Sequence, residues 1–496
     1  MATPAGTAPT ARSVGIDALL YIPGRAIPAV VQVLTVTLLT VYFTPETIGQ
    51  YDLAFRFALL LCTATVLWLN MAVLRLYPAC AQEGTLDAFF NVLAWLRYAM
   101  LAAGTAAGLL CWRFGPDALV GEYRALLPHA TLVFIGYTAY ESGLAVLRTK
   151  RMPLRYSIAA SANALVRLPL AAALFQWWHF GVSGMLWSLT ITYFVAHAAF
   201  LWGQTGRVRL EFGERERRIA RTLLLYGLPV AGAQLLNFFL GNLDRYFLQT
   251  LRGPHDVGLY SVATNLIEQP LMLLFQTFTM AVFPSVVSAW EQHGRGSAEE
   301  LLRGITRIFI VACVPAGVFL ATFSQPLCEA LARGESAQAY TAAPWIALAA
   351  ILYGLHYLAN FGLHLAHRTG QLLVATVAAL AMNAALNYWL VPLHGFVGAG
   401  MARTGANLFF VALLVLLSRP HLHWHFPWAS CLKVAAASVA GGVAGELILD
   451  ACAALSPLPR LIAVGLVYTA VAGVALVITR EVPLAPVLRR LRRRPA

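Results

Sequence analysis

Charged residues are scarce in this chain, and their scarcity excludes most soluble folds. Only 11% of the 496 residues are Asp, Glu, Lys or Arg, whereas a soluble domain has about a quarter. Hydrophobic residues make up 59% of the chain, and the mean hydropathy is +0.69. Apolar runs recur from end to end, long enough to cross a hydrocarbon core of roughly 30 Å. The composition therefore predicts an all-α protein that crosses a membrane many times.

The chain also lacks the marks of a metalloprotein, a secreted protein or an enzyme. Its seven cysteines are scattered, and no pair has metal-ligand spacing. The first residues contain no basic segment followed by a short apolar stretch and a cleavage site, so we expect no cleaved signal peptide. No Ser/His/Asp arrangement and no phosphate-binding glycine-rich loop is visible. We expect no metal, no cofactor and no enzymatic activity.

Fourteen apolar segments predict fourteen transmembrane helices. The connections between them are too short to hold a catalytic domain outside the membrane. We divide the chain into an N-terminal tail, an N-lobe of six helices, a basic linker, a C-lobe of six helices, two extra helices and a basic tail. The respective residues are 1–15, 16–203, 204–222, 223–418, 430–479 and 480–496.

The net charge of +13 indicates a membrane topology and not a nucleic-acid surface. The chain has 33 Arg and 2 Lys, and arginines crowd residues 148–155, 204–222 and 480–496. The positive-inside rule places these segments and both termini in the cytoplasm. Such basic loops also favour contact with anionic membrane lipids. We expect no nucleic-acid partner.

One short motif occurs twice with the spacing Pro-x3-Gly-x-Tyr. The copies consist of Pro45, Gly49 and Tyr51, and of Pro254, Gly258 and Tyr260. We expect each copy to form a tight outer loop between two membrane helices. Six predicted crossings separate the copies, which predicts two lobes related by a pseudo-twofold axis along the membrane normal. Repeats of this kind build many transporters.

The residues around both copies resemble a known family. Residues 42–53 are similar to the first outer loop of Wzx-type polysaccharide flippases, and residues 242–248 with 253–260 are similar to that family's seventh-helix signature. The same superfamily of multidrug and polysaccharide exporters, the MOP superfamily, includes the lipid II flippase and the multidrug extruders. The resemblance implies two six-helix bundles around a central cavity that opens alternately to either side.

The resemblance also implies a substrate and a location. Flippases of this family pass an undecaprenyl-pyrophosphate-linked oligosaccharide across the bacterial inner membrane for the synthesis of O-antigen or exopolysaccharide. A polysaccharide polymerase or export machinery is then a possible protein partner. The glycan, the energy source and the oligomeric state stay open.

Buried arginines are the candidate binders of such a substrate. A diphosphate in a membrane needs fixed cations, because an unpaired buried charge costs several kcal/mol. The planar guanidinium can bond two phosphate oxygens and stays charged. Arginines within apolar segments, or next to one, form the candidate set: Arg25, Arg56, Arg97, Arg167 and Arg245. The alternative for Arg25 is a structural pairing within its lobe, and the alternative for Arg56 is a position at the outer interface. The alternative for Arg97 and Arg167 is a structural ion pair inside the N-lobe, for example with Glu141.

Other polar residues are candidates for gating and for ion coupling. We expect Asp244 and the motif residues Pro45, Gly49, Tyr51, Pro254, Gly258 and Tyr260 to act at a gate or between the lobes. Direct substrate binding is the alternative for Asp244 and Arg245. Glu268 is the first candidate for a coupling carboxyl group and Glu141 the second, since a low dielectric favours a proton on a buried carboxylate. The alternative for both residues is a neutral, hydrogen-bonded carboxyl group with no part in coupling.

Two other functions remain compatible with the hydropathy. A cation-coupled multidrug or metabolite antiporter has the same architecture, but several cavity arginines would repel cationic drugs. A membrane glycosyltransferase or polysaccharide polymerase usually needs acidic residues in an early outer loop or a large basic outer loop, and both are missing. His421, His423 and His425 flank Trp424, which favours an interfacial loop with a tryptophan anchor over a metal site.

Overall fold

The computed structural model describes residues 20–202, 213–452 and 454–481, and these residues are almost entirely helical. No strand occurs in the described ranges. The prediction of an all-α protein is confirmed. The predicted N-terminal tail 1–15, residues 16–19 and 203 of the predicted N-lobe, residues 204–212 of the predicted linker and residues 482–496 of the predicted tail lie outside the described residues.

Sixteen α-helices of five or more residues follow one another in the part of the chain that the structure describes. They are α1 (Pro23–Tyr42), α2 (Pro45–Thr65), α3 (Leu67–Gln82), α4 (Leu86–Phe114), α5 (Leu127–Thr149), α6 (Pro153–Gln176), α7 (Ser183–Ala196), α8 (Glu214–Leu251), α9 (Pro254–Ala263), α10 (Gln269–Thr322), α11 (Ser324–Leu331), α12 (Ala343–Ala359), α13 (Phe361–Leu365), α14 (Thr369–Ser418), α15 (Trp428–Ala451) and α16 (Pro457–Ile478). Shorter helical turns join them, including π-helices at His197–Leu201 and Thr264–Glu268.

The predicted number of membrane crossings agrees with these helices. Eleven helical segments in the described ranges are long and apolar enough to cross a membrane, and the bent pair of α2 and α3 makes a twelfth. Two of the segments contain a glycine with a non-helical backbone, Gly294 in α10 and Gly395 in α14. Division at these glycines yields fourteen segments. Gly395 has a φ of 56°, a left-handed conformation that glycine adopts without steric cost.

The chain divides into two compact units, Met1–Asn242 (unit 1) and Leu243–Ala496 (unit 2). The division falls within α8. The predicted linker 204–222 is helical from Glu214 onward, where it forms the beginning of α8. The lobe boundary within that linker stays a prediction.

The repeated motif forms the start of a helix, and our expectation that it forms a loop is wrong. Pro45 and Pro254 stand in the first turn of α2 and α9, and Tyr51 and Tyr260 lie inside these helices. Proline suits a first turn because its φ is already helical and its missing N–H has no partner there in any case. The connections that precede the two helices are therefore only about two residues long.

In unit 1, α1 and α6 run side by side in the same direction. Ser157 near the start of α6 donates a hydrogen bond to the carbonyl of Leu20, and Phe175 at its end packs edge-on against Phe43. A Cβ on Gly24 would lie 2.8 Å from Ser157. The glycine therefore permits the close approach of the two helices next to Arg25.

In unit 2, Glu481 ties the end of α16 to two other helices. Its side chain is 2% exposed, and it forms ion pairs with Arg307 of α10 at 2.6 Å and Lys433 of α15 at 3.5 Å. Burial alone would raise the pKa of Glu481, but hydrogen bonds from Arg307, Ser430 and Lys433 outweigh burial and hold this pKa below its usual value.

The low pKa of Glu481 makes a testable contribution to stability. We expect Glu481→Gln to lower the free energy of unfolding by about 1–2 kcal/mol at neutral pH. The expected loss is modest because Arg307 and Lys433 are half exposed, and solvent screens their attraction to the carboxylate. Because the pKa is lower in the folded state, this stabilisation is present above the unfolded value of about 4.3 and is lost as the pH falls through the folded value. Thermal unfolding of the purified protein from about pH 7 to about pH 2, a range that includes the lowered folded value, measures the difference.

The matched control is Glu446→Gln, which changes an exposed carboxylate of α15. It should leave the unfolding temperature close to that of the wild type across the same pH range. An effect of Glu481→Gln that is absent at neutral pH, or equally large at all pH values, would contradict the role of the ion pairs.

Candidate functional site

Asp244 of α8 is the centre of a buried polar network in unit 2. None of its surface is exposed. The hydroxyl of Tyr260 donates a hydrogen bond to Oδ2 at 2.9 Å, while Nδ2 of Asn383 and Nδ2 of Asn387 donate to Oδ1 at 3.0 and 2.9 Å. The asparagines share one face of α14 because they are four residues apart. One carboxylate thus joins α8, α9 and α14.

Arg245 belongs to the same network because it contacts the ring of Tyr260. It is 3% exposed, and its Nη2 donates a hydrogen bond to Oγ1 of Thr264 at 2.9 Å. Its guanidinium carbon lies 5.3 Å from the centre of the Tyr260 ring, within the range of a cation–π contact. The tyrosine of the second motif copy therefore contacts both members of the Asp244–Arg245 pair.

Glu268 forms a short ion pair with Arg403 of α14. Nη2 of Arg403 lies 2.6 Å from Oε1 of Glu268, and the two side chains are 9% and 12% exposed. Glu268 is the last residue of the π-helix Thr264–Glu268, a structure that is common at functional sites. Arg403 also interacts electrostatically with Tyr260 and Asp244. The network thus has two carboxylates and two guanidinium groups, and their charges balance.

In unit 1, Tyr51 occupies a comparable setting. The tyrosine of the first motif copy is 9% exposed and lies near the guanidinium of Arg167 on α6. Arg167 is also beside Tyr193 of α7, whose ring packs on Tyr137 and Tyr140 of α5 at 5.3 and 5.2 Å. Each motif tyrosine is therefore buried beside an arginine of its own unit. The Nε of Arg167 is buried without a hydrogen-bond partner among the described residues.

The remaining arginines of the predicted set lie at different places in unit 1. Arg56 forms an ion pair with Asp52 one turn earlier on α2 at 3.3 Å. Arg97 of α4 is 6% exposed, and its Nε and Nη2 are buried without a partner in the described ranges. Arg25 of α1 is partly exposed. Glu141 forms an ion pair with Arg148 at 3.6 Å.

The two units differ in the balance of these charges. In unit 1 the named cations are Arg25, Arg56, Arg97, Arg148 and Arg167, and the named carboxylates are Asp52 and Glu141. Positive charge is therefore in excess within this set, whereas the network of unit 2 is neutral. Arginine donors without protein partners suit an anionic ligand, because a diphosphate can accept several hydrogen bonds at once.

The candidate site residues fall into two groups by unit. Arg25, Arg56, Arg97, Arg167, Glu141 and the first motif copy lie in unit 1, and Asp244, Arg245, Glu268 and the second motif copy lie in unit 2. Pro45, Gly49, Pro254 and Gly258 are buried. Within the described residues, no group of three or more His, Cys, Asp or Glu side chains is arranged to hold a metal ion.

Sequence reasoning missed the two asparagines and did not identify the partner of Glu268. Asn383 and Asn387 are polar residues one turn apart in an otherwise apolar segment, which was the available signal. Arg403 was visible as a charge within the twelfth predicted span, but its partner is 135 residues away. Neither the contact of the asparagines with Asp244 nor that of Arg403 with Glu268 follows from the periodicity of one helix.

Comparison with known proteins finds one family model that matches part of the chain. Residues 125–333 match the family described as "Polysaccharide biosynthesis protein". No curated protein matches the chain at the sequence level.

Solved structures share the fold over most of the chain. The lipid II flippase MurJ in an inward closed conformation is 13% identical, with a TM-score of 0.74 over 94% of this chain and 99% of that chain. An inward-facing multidrug resistance MATE family transporter of the MOP superfamily is 16% identical, with a TM-score of 0.64 over 81% and 97%. A MOP superfamily transporter from Pyrococcus furiosus is 16% identical, with a TM-score of 0.57 over 82% and 93%.

Proposed function

We propose that this chain is a flippase-type member of the MOP superfamily and that it moves an undecaprenyl-pyrophosphate-linked oligosaccharide across a membrane. The fold and the family are those of transporters, not of enzymes. In this proposal the protein lies in the bacterial inner membrane with both termini in the cytoplasm. It passes repeat units to the outer leaflet by alternating access for the synthesis of a surface polysaccharide.

The excess of arginines in unit 1 is the observation that supports an anionic substrate. Arg25 and Arg167 are both partly exposed, and they stand on the neighbouring parallel helices α1 and α6. We assign first contact with the pyrophosphate to these two residues. Arg56 and Arg97 would strengthen the positive potential, since Arg56 is held by Asp52 and Arg97 is buried.

The network of unit 2 fits a gating and coupling role better than direct substrate binding. Asp244, Arg245 and Tyr260 are buried and bonded to one another or to α14, so they respond to movements of the helices that carry them. Glu268 would couple transport to a cation through its contact with Arg403, and Glu141 is the second candidate. The motif residues Pro45, Gly49, Pro254 and Gly258 would hold the helix starts on which Tyr51 and Tyr260 are placed.

The competing function is a cation-coupled antiporter for drugs or metabolites, because MATE transporters share the fold. A cationic drug would be repelled by the excess of positive charge among the named arginines of unit 1. This electrostatic argument favours the flippase, and the substrate assay below distinguishes the two.

Deletion of the gene in its host tests the proposed function. We expect surface polysaccharide to be lost while the lipid-linked repeat unit accumulates in the cytoplasmic leaflet. Wild-type protein should restore export, and Arg25→Ala should not. Normal polysaccharide with altered drug tolerance would support the antiporter instead, and unpolymerised repeat units in the outer leaflet would support a polymerase.

A further inference from the structure

A groove on unit 2 lies between α10, α12, α14 and the segment 419–427. Its volume is about 690 Å³, within the roughly 300–1,000 Å³ of ligand pockets. The walls are apolar and come from two membrane-spanning segments: Leu352, Leu355, Leu408, Val411 and Val415. Leu408 is 57% exposed, so the groove is accessible from outside the unit.

The rim of the groove is cationic and aromatic. Arg303 and His425 line it together with Trp424 and Trp428. Arg303 is exposed and its guanidinium has no ion-pair partner within the described residues. The nearby carboxylate of Glu299 is held by Arg295 at 2.8 Å and by the backbone N–H of His423 at 2.8 Å, and His425 lies 4.0 Å from it.

Chain topology places this rim at a membrane surface. Residues 419–427 connect the segments Thr369–Ser418 and Trp428–Ala451, which both cross the membrane, so the connection lies at an interface. Trp428 is 71% exposed there, and indole rings favour the level of the lipid head groups. The groove therefore runs from an interfacial, cationic end into the apolar depth of the spanning helices.

The connecting segment is held in a defined position. Nε1 of Trp424 donates a hydrogen bond to Oγ1 of Thr306 on α10 at 2.9 Å. Phe426 packs between Trp424 and Trp428, with ring centres 5.6 and 4.5 Å away. A rim fixed in this way needs little ordering when a ligand binds.

We propose that this groove binds one anionic phospholipid of the surrounding bilayer. The phosphate contacts Arg303 and the indole N–H or ring of Trp428 at the rim, and an acyl chain lies along Leu408, Val411 and Val415. The charge of Arg303 and the direction of the groove support this occupant. The proposal is independent of the transported substrate.

Binding of phosphatidylglycerol and phosphatidylcholine to the delipidated full-length protein, measured by native mass spectrometry, tests the site. We expect wild type to prefer phosphatidylglycerol, and Arg303→Gln to weaken its binding about fivefold, since one basic residue near a lipid surface contributes about 1 kcal/mol. The control Arg419→Gln changes an exposed arginine of the same connection that does not line the groove. It should leave the preference unchanged.

A second pair of variants tests the apolar part of the groove without changing charge. Leu408→Trp fills the groove and should weaken binding of both phospholipids, whereas Leu416→Trp, at an exposed position of α14 outside the groove, should not. The proposal would be overturned if Arg303→Gln and Arg419→Gln changed phospholipid binding equally, or if Leu408→Trp and Leu416→Trp did. So would displacement of phosphatidylglycerol by undecaprenyl pyrophosphate at equimolar concentration, because the groove would then belong to the substrate pathway.

Discussion

Replacement of Asp244 with alanine is expected to abolish export and to lower the free energy of unfolding by several kcal/mol. The substitution removes the common acceptor of Tyr260, Asn383 and Asn387, and hydrogen bonds to charged groups contribute about 1.5–3 kcal/mol each. It also takes the carboxylate acceptor from the buried Tyr260 hydroxyl and the buried Asn383 amide, while Asn387 keeps its hydrogen bonds to Asn383. Thermal unfolding of the purified protein and surface polysaccharide in complemented deletion cells measure the two effects.

Graded variants show whether the hydrogen bonds themselves are responsible. Asn383→Ala and Asn387→Ala each remove one donor and should each cost about as much as one such bond. Asp256→Ala is the matched control, since Asp256 is a partly exposed aspartate near the start of α9 outside this network. An Asp244→Ala protein that unfolds and exports like the wild type would exclude a structural or gating role for the network.

Replacement of Glu268 with alanine is the second change with a large expected effect. Arg403 would lose the carboxylate at 2.6 Å and remain as an uncompensated charge in a buried position. Loss of one partner from a buried ion pair costs about 3–5 kcal/mol, whereas replacing both partners with apolar residues costs much less. Glu268→Ala should therefore be more harmful than the double variant Glu268→Ala/Arg403→Met.

The double-variant cycle separates structure from coupling. Free energies of unfolding for the wild type, both single variants and the double variant yield the interaction energy of the pair. If the losses in the free energy of unfolding of the two single variants added up to the loss in the double variant, a strong ion pair would be contradicted. Glu268→Gln keeps a hydrogen-bond acceptor but removes the charge, and wild-type export by this variant at every pH would rule out Glu268 as the coupling group.

The number of membrane helices and their positions along the chain could be predicted well, because both depend on the length of local apolar segments. Fourteen segments and an all-α fold follow from hydropathy and turn residues. Pro45 was predicted to lie in an outer loop but begins α2, because a polar and acidic first turn looks like a loop in a hydropathy pattern. In a helix, Glu46 in that turn is favourable beside the positive end of the helix dipole.

The site could be predicted only in part, because its contacts join residues far apart in sequence. Asp244 and Tyr260 were recognised from the motif, but Asn383 and Asn387 reach Asp244 across more than 130 residues. Helix periodicity shows which residues share a face, but not which other helix packs against that face. The same reason explains why Arg167 could be recognised as a charge in an apolar segment, while its position beside Tyr51 could not be predicted.

Translocation by the purified protein is the most direct test of the proposed transport. The full-length chain is reconstituted into liposomes with an undecaprenyl-pyrophosphate-linked oligosaccharide, and a membrane-impermeant reagent reports the leaflet of the glycan over time. Wild type should transfer the glycan between leaflets faster than protein-free liposomes do.

Single arginine variants test the anion site in the same assay. Arg25→Gln and Arg167→Gln should each slow transfer at least about tenfold, which corresponds to the loss of one charged hydrogen bond. The control Arg113→Gln, at an exposed position, should transfer the glycan like wild type. Transfer no faster than in protein-free liposomes would contradict the proposed function, and equal rates for all arginine variants would contradict the anion site.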